Sequence, residues 1–188
     1  MSALASHRLT VKEYLELDRA AERKSEYHDG ELFPIVAVTL NHARLHGRVF
    51  QALDARLRTV SCFASVANRV RVSPSQFLYP DVTAICGQPE YTDEQVDTIT
   101  NPKVIVEVLS PSPADYDHGG KFALYRELAS LEEYVLVSQD QIEVEVYRKQ
   151  SQTWWTLEIL RGPEAIVRLK SVPVEFPLSE LYEGILEV

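Results

Sequence analysis

Apolar and polar positions change their period several times along the chain, and each change marks an element. Val11, Tyr14 and Leu15 recur at helical spacing behind Thr10-Val11-Lys12-Glu13. That is a capping-box pattern, in which a Thr hydroxyl and a Glu three residues on satisfy each other's free amides, and it predicts a first helix to about Asp18. Glu26-Tyr27-His28 and Glu31-Leu32-Phe33 flank Asp29-Gly30, a hairpin signal. Leu45, Val49, Ala52, Leu53 and Leu57 then share one helical face, so Thr39 or Asn41 caps a longer helix. Strands are predicted over 62–67, 68–72 and 81–86, with a polar loop over 88–102. A continuous apolar run follows at 103–110, then a helix from about Gly119 or Gly120 to Leu128. Further strands are predicted over 133–137, 141–148 and 153–160. From Ala165 the tail reads as extended, turning at Pro177-Leu178-Ser179. This order suits one α/β (α+β) domain spanning residues 1–188 around a central mixed sheet flanked by helices.

One residue breaks the pattern. Glu107 lies inside Val104-Ile105-Val106-Glu107-Val108-Leu109, a run that reads as a strand buried on both faces. A buried carboxylate without a partner costs several kcal/mol, so it calls for a cation. Asp81, after Pro80 and before Val82, occupies a similar setting, and Lys121 opens the helix downstream. Two strand-borne carboxylates can hold Mg²⁺ or Mn²⁺, because a hard cation takes oxygen ligands and keeps several waters. A lysine supplies charge or orients the water. Asp81, Glu107 and Lys121 are therefore the candidate catalytic set, with Glu26 as a third metal-binding acid. Tyr125, four residues after Lys121, shares its helix face and is a candidate substrate donor. Each has a plainer explanation: a strand-start aspartate, an arginine-paired glutamate, an exposed glutamate, a core tyrosine.

Other motifs carry less. His42 and His46 are spaced i, i+4 but lack the glutamate of a zinc-protease helix. Ser110 has no glycine-flanked elbow, and Gly119-Gly120-Lys121 lacks P-loop spacing.

Charge changes the picture in one respect. The net charge of −9 argues against a broad nucleic-acid surface. Between Leu40 and Ser73, however, six arginines stand against Asp54 alone, a local balance of +5 against −14 for the rest. Arg44 and Arg48, on one helix face, are the candidate contacts to DNA phosphates; an ordinary solvated helix face is the alternative. The apolar share, 45%, is that of a globular protein, and no run approaches the roughly 20 residues of a membrane span. Residues 1–8 do not read as a signal peptide, so a cytoplasmic location is expected, with Cys62 and Cys86 as reduced thiols. Val144, Val146, Trp154 and Trp155 offer apolar surface for a homodimer, or simply core packing.

The combination of motifs resembles the Uma-two family of restriction-endonuclease-like proteins. The matching strings are Leu9-Thr10-Val11-Lys12-Glu13-Tyr14, Glu26-Tyr27-His28-Asp29-Gly30-Glu31, Tyr79-Pro80-Asp81-Val82 and Glu107-Val108-Leu109-Ser110-Pro111-Ser112. Tyr116-Asp117, Lys121-Phe122, Tyr125 and Glu133-Tyr134-Val135-Leu136-Val137 complete the set. The resemblance implies the PD-(D/E)XK nuclease fold, with Asp81 and Glu107 as its two acids. That pattern asks for lysine two residues after Glu107, where this chain has Leu109, and the family's lysine corresponds to Lys121. Ser138 also stands where the family often carries Asp. The expectation is thus a Mg²⁺- or Mn²⁺-dependent endonuclease acting on DNA, the alternative an inactive nuclease-fold module, dimeric and regulatory.

Overall fold

The computed structural model describes residues 8–110 and 116–186, and side chains for all of these except 116–118. Residues 1–7, from the stretch that does not read as a signal peptide, and Pro111-Ser112, from the strings of the family resemblance, lie outside the described residues. The first helix, α1 (Val11–Ala20), starts on the capping box: Thr10 accepts from the Glu13 amide while Glu13 reaches back to the Thr10 amide. The hairpin β1 (Ser25–His28) and β2 (Glu31–Pro34) turns on Asp29 and Gly30, with φ of 48° and 100°. Both values are positive, the requirement of the tight hairpin turn that Asp-Gly favours.

Thr39 caps α2 (Leu40–Leu57) by accepting from the His42 amide. Then come β3 (Cys62–Val66), β4 (Arg69–Ser73), β5 (Gln76–Leu78), β6 (Val82–Cys86), β7 (Thr98–Ile99) and β8 (Val104–Val108). A π-helical turn (Tyr116–Lys121) runs into α3 (Phe122–Tyr125). The chain continues through β9 (Glu133–Val137), β10 (Glu143–Lys149), β11 (Trp155–Arg161), β12 (Ile166–Leu169), β13 (Val174–Pro177) and α4 (Leu178–Tyr182).

The central sheet is six-stranded and mixed, in the order β11-β10-β9-β8-β6-β3. Within this sheet only β8 and β9 pair in parallel, and every residue of both is buried, which explains their nearly unbroken apolar runs. Val104, Val106 and Val108 face Leu45, Val49 and Leu53 of α2 in the main core. Ile105 faces the opposite way, towards Tyr125, Leu128 and Tyr134. Each such buried aliphatic side chain contributes about 1.5–3 kcal/mol.

A second sheet, β2-β1-β5-β4-β7, was not expected as a separate unit. Its β5 and β7 have three and two residues, too few to show a period, and β7 lies inside the stretch that reads as a polar loop. The aromatic cluster of Tyr14, Tyr27 and Phe77 seats α1 on it, with Tyr14 and Tyr27 stacked at 4.7 Å. The helix expected to reach Leu128 stops at Tyr125, and the turn at Pro177 opens α4.

Two further expectations are corrected. Cys62 and Cys86 are not free thiols: the antiparallel β3–β6 register sets them directly opposite, and they form a disulfide. Val144 and Val146, considered for a dimer face, are fully buried in the main core; Trp154 stays exposed.

Candidate active site

The site grows out of the β6–β8 register. Val82 pairs with Val106 in antiparallel fashion, so the residue before β6, Asp81, stands opposite Glu107. Their backbones and carboxylates interlock. The Val108 amide donates to Asp81 Oδ2 at 2.8 Å, and the Asp81 amide donates to Glu107 Oε2 at 3.3 Å. The 26-residue separation in sequence thus becomes direct juxtaposition across two strands.

Lys121 and Tyr125 approach from the π-turn and α3. Lys121 Nζ lies 3.0 Å from Glu107 Oε1, and the Tyr125 hydroxyl donates to the same oxygen at 2.8 Å. Their i, i+4 spacing puts both on the face that covers Glu107. Tyr125 is fully buried; burial first, and the Glu107 carboxylate next, push its hydroxyl well above its ordinary pKa. It therefore stays a donor that orients Glu107, not a surface group awaiting substrate.

Glu26 enters from the other sheet. Its Oε1 lies 3.6 Å from Lys121 Nζ and accepts from the Tyr79 amide at 3.4 Å, while Oε2 faces His28. Burial raises the Glu26 pKa, but His28, Lys121 and the Tyr79 amide outweigh it and the net shift is downward. Glu26, Asp81, Glu107 and Lys121 line one cavity of about 270 Å³. Among the described residues, no three of His, Cys, Asp and Glu cluster tightly enough to ligate one ion together. Glu26 is thus turned onto Lys121 rather than grouped with Asp81 and Glu107.

His42, set aside in the sequence because the His42–His46 pair lacks the glutamate of a zinc motif, belongs to this site through Asp81. It continues the buried face of α2 three residues before Leu45, and that in-line position was the available signal. Its Nε2 lies 3.2 Å from Asp81 Oδ1, and its Nδ1 is buried without a partner. A proton on Nδ1 would leave a buried N–H unsatisfied and aim a lone pair at a carboxylate. A proton on Nε2 avoids both, so His42 donates to Asp81. Burial raises the Asp81 pKa, but His42, the Val108 amide and nearby His46 together hold it below its ordinary value. Gln139 fixes this end of α2: its Nε2 donates to the Leu109 carbonyl at 2.7 Å, and its Oε1 accepts from the Thr39 hydroxyl.

Arg44 and Arg48 lie on the outer face of α2, exposed and away from the cavity wall. The other four arginines of the basic segment have structural partners. Arg56 forks onto Glu180, Arg58 onto Asp54, and Arg69 is buried against Asp18. Arg71 donates to the Ser73 carbonyl.

The Uma2 family, described as "Putative restriction endonuclease", matches residues 11–179. This chain belongs to the Uma2 family. A Synechocystis protein, "Uncharacterized protein sll1609", is 34% identical over 168 residues, 88% of this chain and 95% of its own length. A second, "Uncharacterized protein slr1290" from the same organism, is 29% identical over 180 residues, 95% and 93% of the two chains. The crystal structure of a "putative nuclease belonging to DUF820" from Anabaena variabilis superposes with a TM-score of 0.78 at 18% identity. It covers 95% of this chain and 99% of that one. The fold is the restriction-endonuclease-like one.

In this Uma2 chain Leu109 packs towards the Ile105–Tyr134 core instead of supplying the motif lysine. Lys121 brings an ammonium to the Glu107 carboxylate from the following helix. Ser138 takes a turn role, its hydroxyl accepting from the Asp140 and Gln141 amides.

Proposed function

We propose that the chain is a divalent-metal-dependent phosphodiesterase that cleaves DNA, with Mg²⁺ or Mn²⁺ held by Asp81 and Glu107. The carrying observation is the antiparallel β6–β8 pairing that sets these two acids together, with Lys121 Nζ 3.0 Å from Glu107 in the same cavity. Two carboxylates, Asp81 and Glu107, supply hard oxygen ligands on one cavity wall, and two suffice for an ion that keeps several waters. Bound there, such an ion supplies charge to a phosphate oxygen and acidifies water.

The chain's own groups prepare that chemistry. The Val108 amide and His42 hold both oxygens of Asp81, while Tyr125 holds Glu107 Oε1. Lys121 Nζ, drawn between Glu26 and Glu107, carries positive charge to the place where the phosphate gains negative charge and water is oriented. Arg44 and Arg48 remain the proposed contacts to more distant phosphates, as positioning rather than reacting groups.

One observation favours a second reading. Lys121 already neutralises Glu107, as in a closed structural ion network, which suits a nuclease fold kept as an interaction module. Calorimetric titration with Mg²⁺ and Mn²⁺ separates the two. The hydrolase shows saturable binding that Asp81→Ala abolishes; the module shows none.

A further inference from the structure

The end of β2 and the segment that joins it to α2 have no role in the core and sit on the site. Residues 33–38 read Phe-Pro-Ile-Val-Ala-Val, six apolar residues in succession, all exposed, Val36 to 73%. The strap is held at both ends. The Ile35 amide donates to the Lys24 carbonyl at 3.1 Å, and Thr39 is fixed by the α2 cap and by Gln139. All six residues line the cavity that also contains Glu26, Asp81, Glu107 and Lys121. The cavity is therefore two-sided, with ionic groups on one wall and hydrocarbon on the other.

A continuous apolar patch kept in water marks a binding surface. We propose that this strap seats an unpaired nucleobase, so that the substrate of the site is single-stranded or locally unpaired DNA; this rests on the phosphodiesterase reading above. A stacked duplex presents phosphates and sugars to an enzyme and hides its base faces, so an apolar wall beside the carboxylates has nothing to meet. An unpaired nucleotide has both halves: an anionic phosphodiester for the ionic wall and a flat apolar ring for the strap. Phe33 is the stacking element. It is 46% exposed and its ring is braced edge-on by His28 at 4.9 Å. Charge points the same way. Duplex binding draws on many cationic contacts, whereas this chain carries −9 and four of the six arginines in its basic segment are committed to structural partners. Base stacking supplies affinity without cations.

The test uses the full chain, with Ca²⁺ in place of Mg²⁺ for binding and Mn²⁺ for cleavage. The probe is a fluorescein-labelled oligonucleotide, alone or annealed to its complement, read by anisotropy and by gel. The wild type is expected to bind and cleave the single strand at least about tenfold better than the duplex. Phe33→Ala is expected to weaken single-strand binding about 5- to 150-fold, the range of one lost base stack, and Phe33→Trp to restore it. Equal or better handling of duplex overturns the inference, as does Phe33→Ala binding like the wild type. A change of oligomeric state in Phe33→Ala by sedimentation also overturns it, by showing that a second copy covers the strap. Phe33-dependent single-strand binding without cleavage supports the base seat and removes the phosphodiesterase reading. Cleavage of duplex without regard to Phe33 does the reverse.

Discussion

Replacing Lys121 by Met removes an ammonium and keeps most of the side chain's length. In the metal-free protein Glu107 and Glu26 then lose the cation between them, and breaking a buried pair in this way costs about 3–5 kcal/mol. On the proposed reading Mg²⁺ competes with Lys121 for Glu107. Lys121→Met should therefore have a lower melting temperature without metal and a larger rise with Mg²⁺ than the wild type, measured by thermal shift. A loss that Mg²⁺ leaves unchanged would mark a purely structural ion network. His42 gives the complementary test. His42→Leu removes the donor to Asp81 and should weaken Mg²⁺ binding about 10- to 100-fold, as other outer-shell losses do. His42→Gln, which keeps an N–H within reach, should recover most of it. Equal affinities in the two variants would separate His42 from the metal site. Glu107 stands out as a candidate in the sequence because a charge inside an apolar strand is anomalous in one dimension, and Asp81, just before β6, because it opens a second apolar run. His42 does not, because a histidine on a buried helix face looks like core until its partner, 39 residues on, is in view.

Elements with a full period were legible, and short ones were not. The capping box fixed the start of α1, and Asp29-Gly30 the hairpin. By contrast β5 and β7 are too short to show a period and are defined by their pairing, β5 with β1 and β4 and β7 with β4, in the five-stranded sheet. The contact between α1 and the β7 loop carries a pH dependence. Arg19 reaches Asp97 and Asp93, both at 2.7 Å, and its hydrogen bonds hold both aspartates below their ordinary value of 3.8. A lowered folded pKa means stability that is fully present above that value and lost as pH falls below it. Arg19→Leu should thus flatten the acid limb below pH 3.8 in urea-unfolding midpoints followed against pH. Identical acid limbs in the two proteins would show that this contact does not link α1 to stability.

At the scale of the whole molecule, the basic segment shows why charge counting along a chain misleads. Two of the six arginines behind its +5 balance have partners far along the chain: Arg56 and Glu180 are 124 residues apart, Arg69 and Asp18 51. Only folding shows that Arg44 and Arg48 alone stand on the outer helix face, and that the exposed hydrocarbon lies beside the carboxylates. The juxtaposition of Asp81 with Glu107, in contrast, follows from ordinary strand pairing and was already implicit in two apolar runs with one acid each. The most direct measurement is Mn²⁺-dependent cleavage of labelled DNA by the wild type, Asp81→Asn and Lys121→Ala, with metal binding to each followed by calorimetry. The wild type should cleave, and chelation should stop it. Asp81→Asn should lose both metal and cleavage, while Lys121→Ala should bind metal and fail to cleave. Robust cleavage by Lys121→Ala, or by an Asp81→Asn protein that no longer binds metal, would contradict the account.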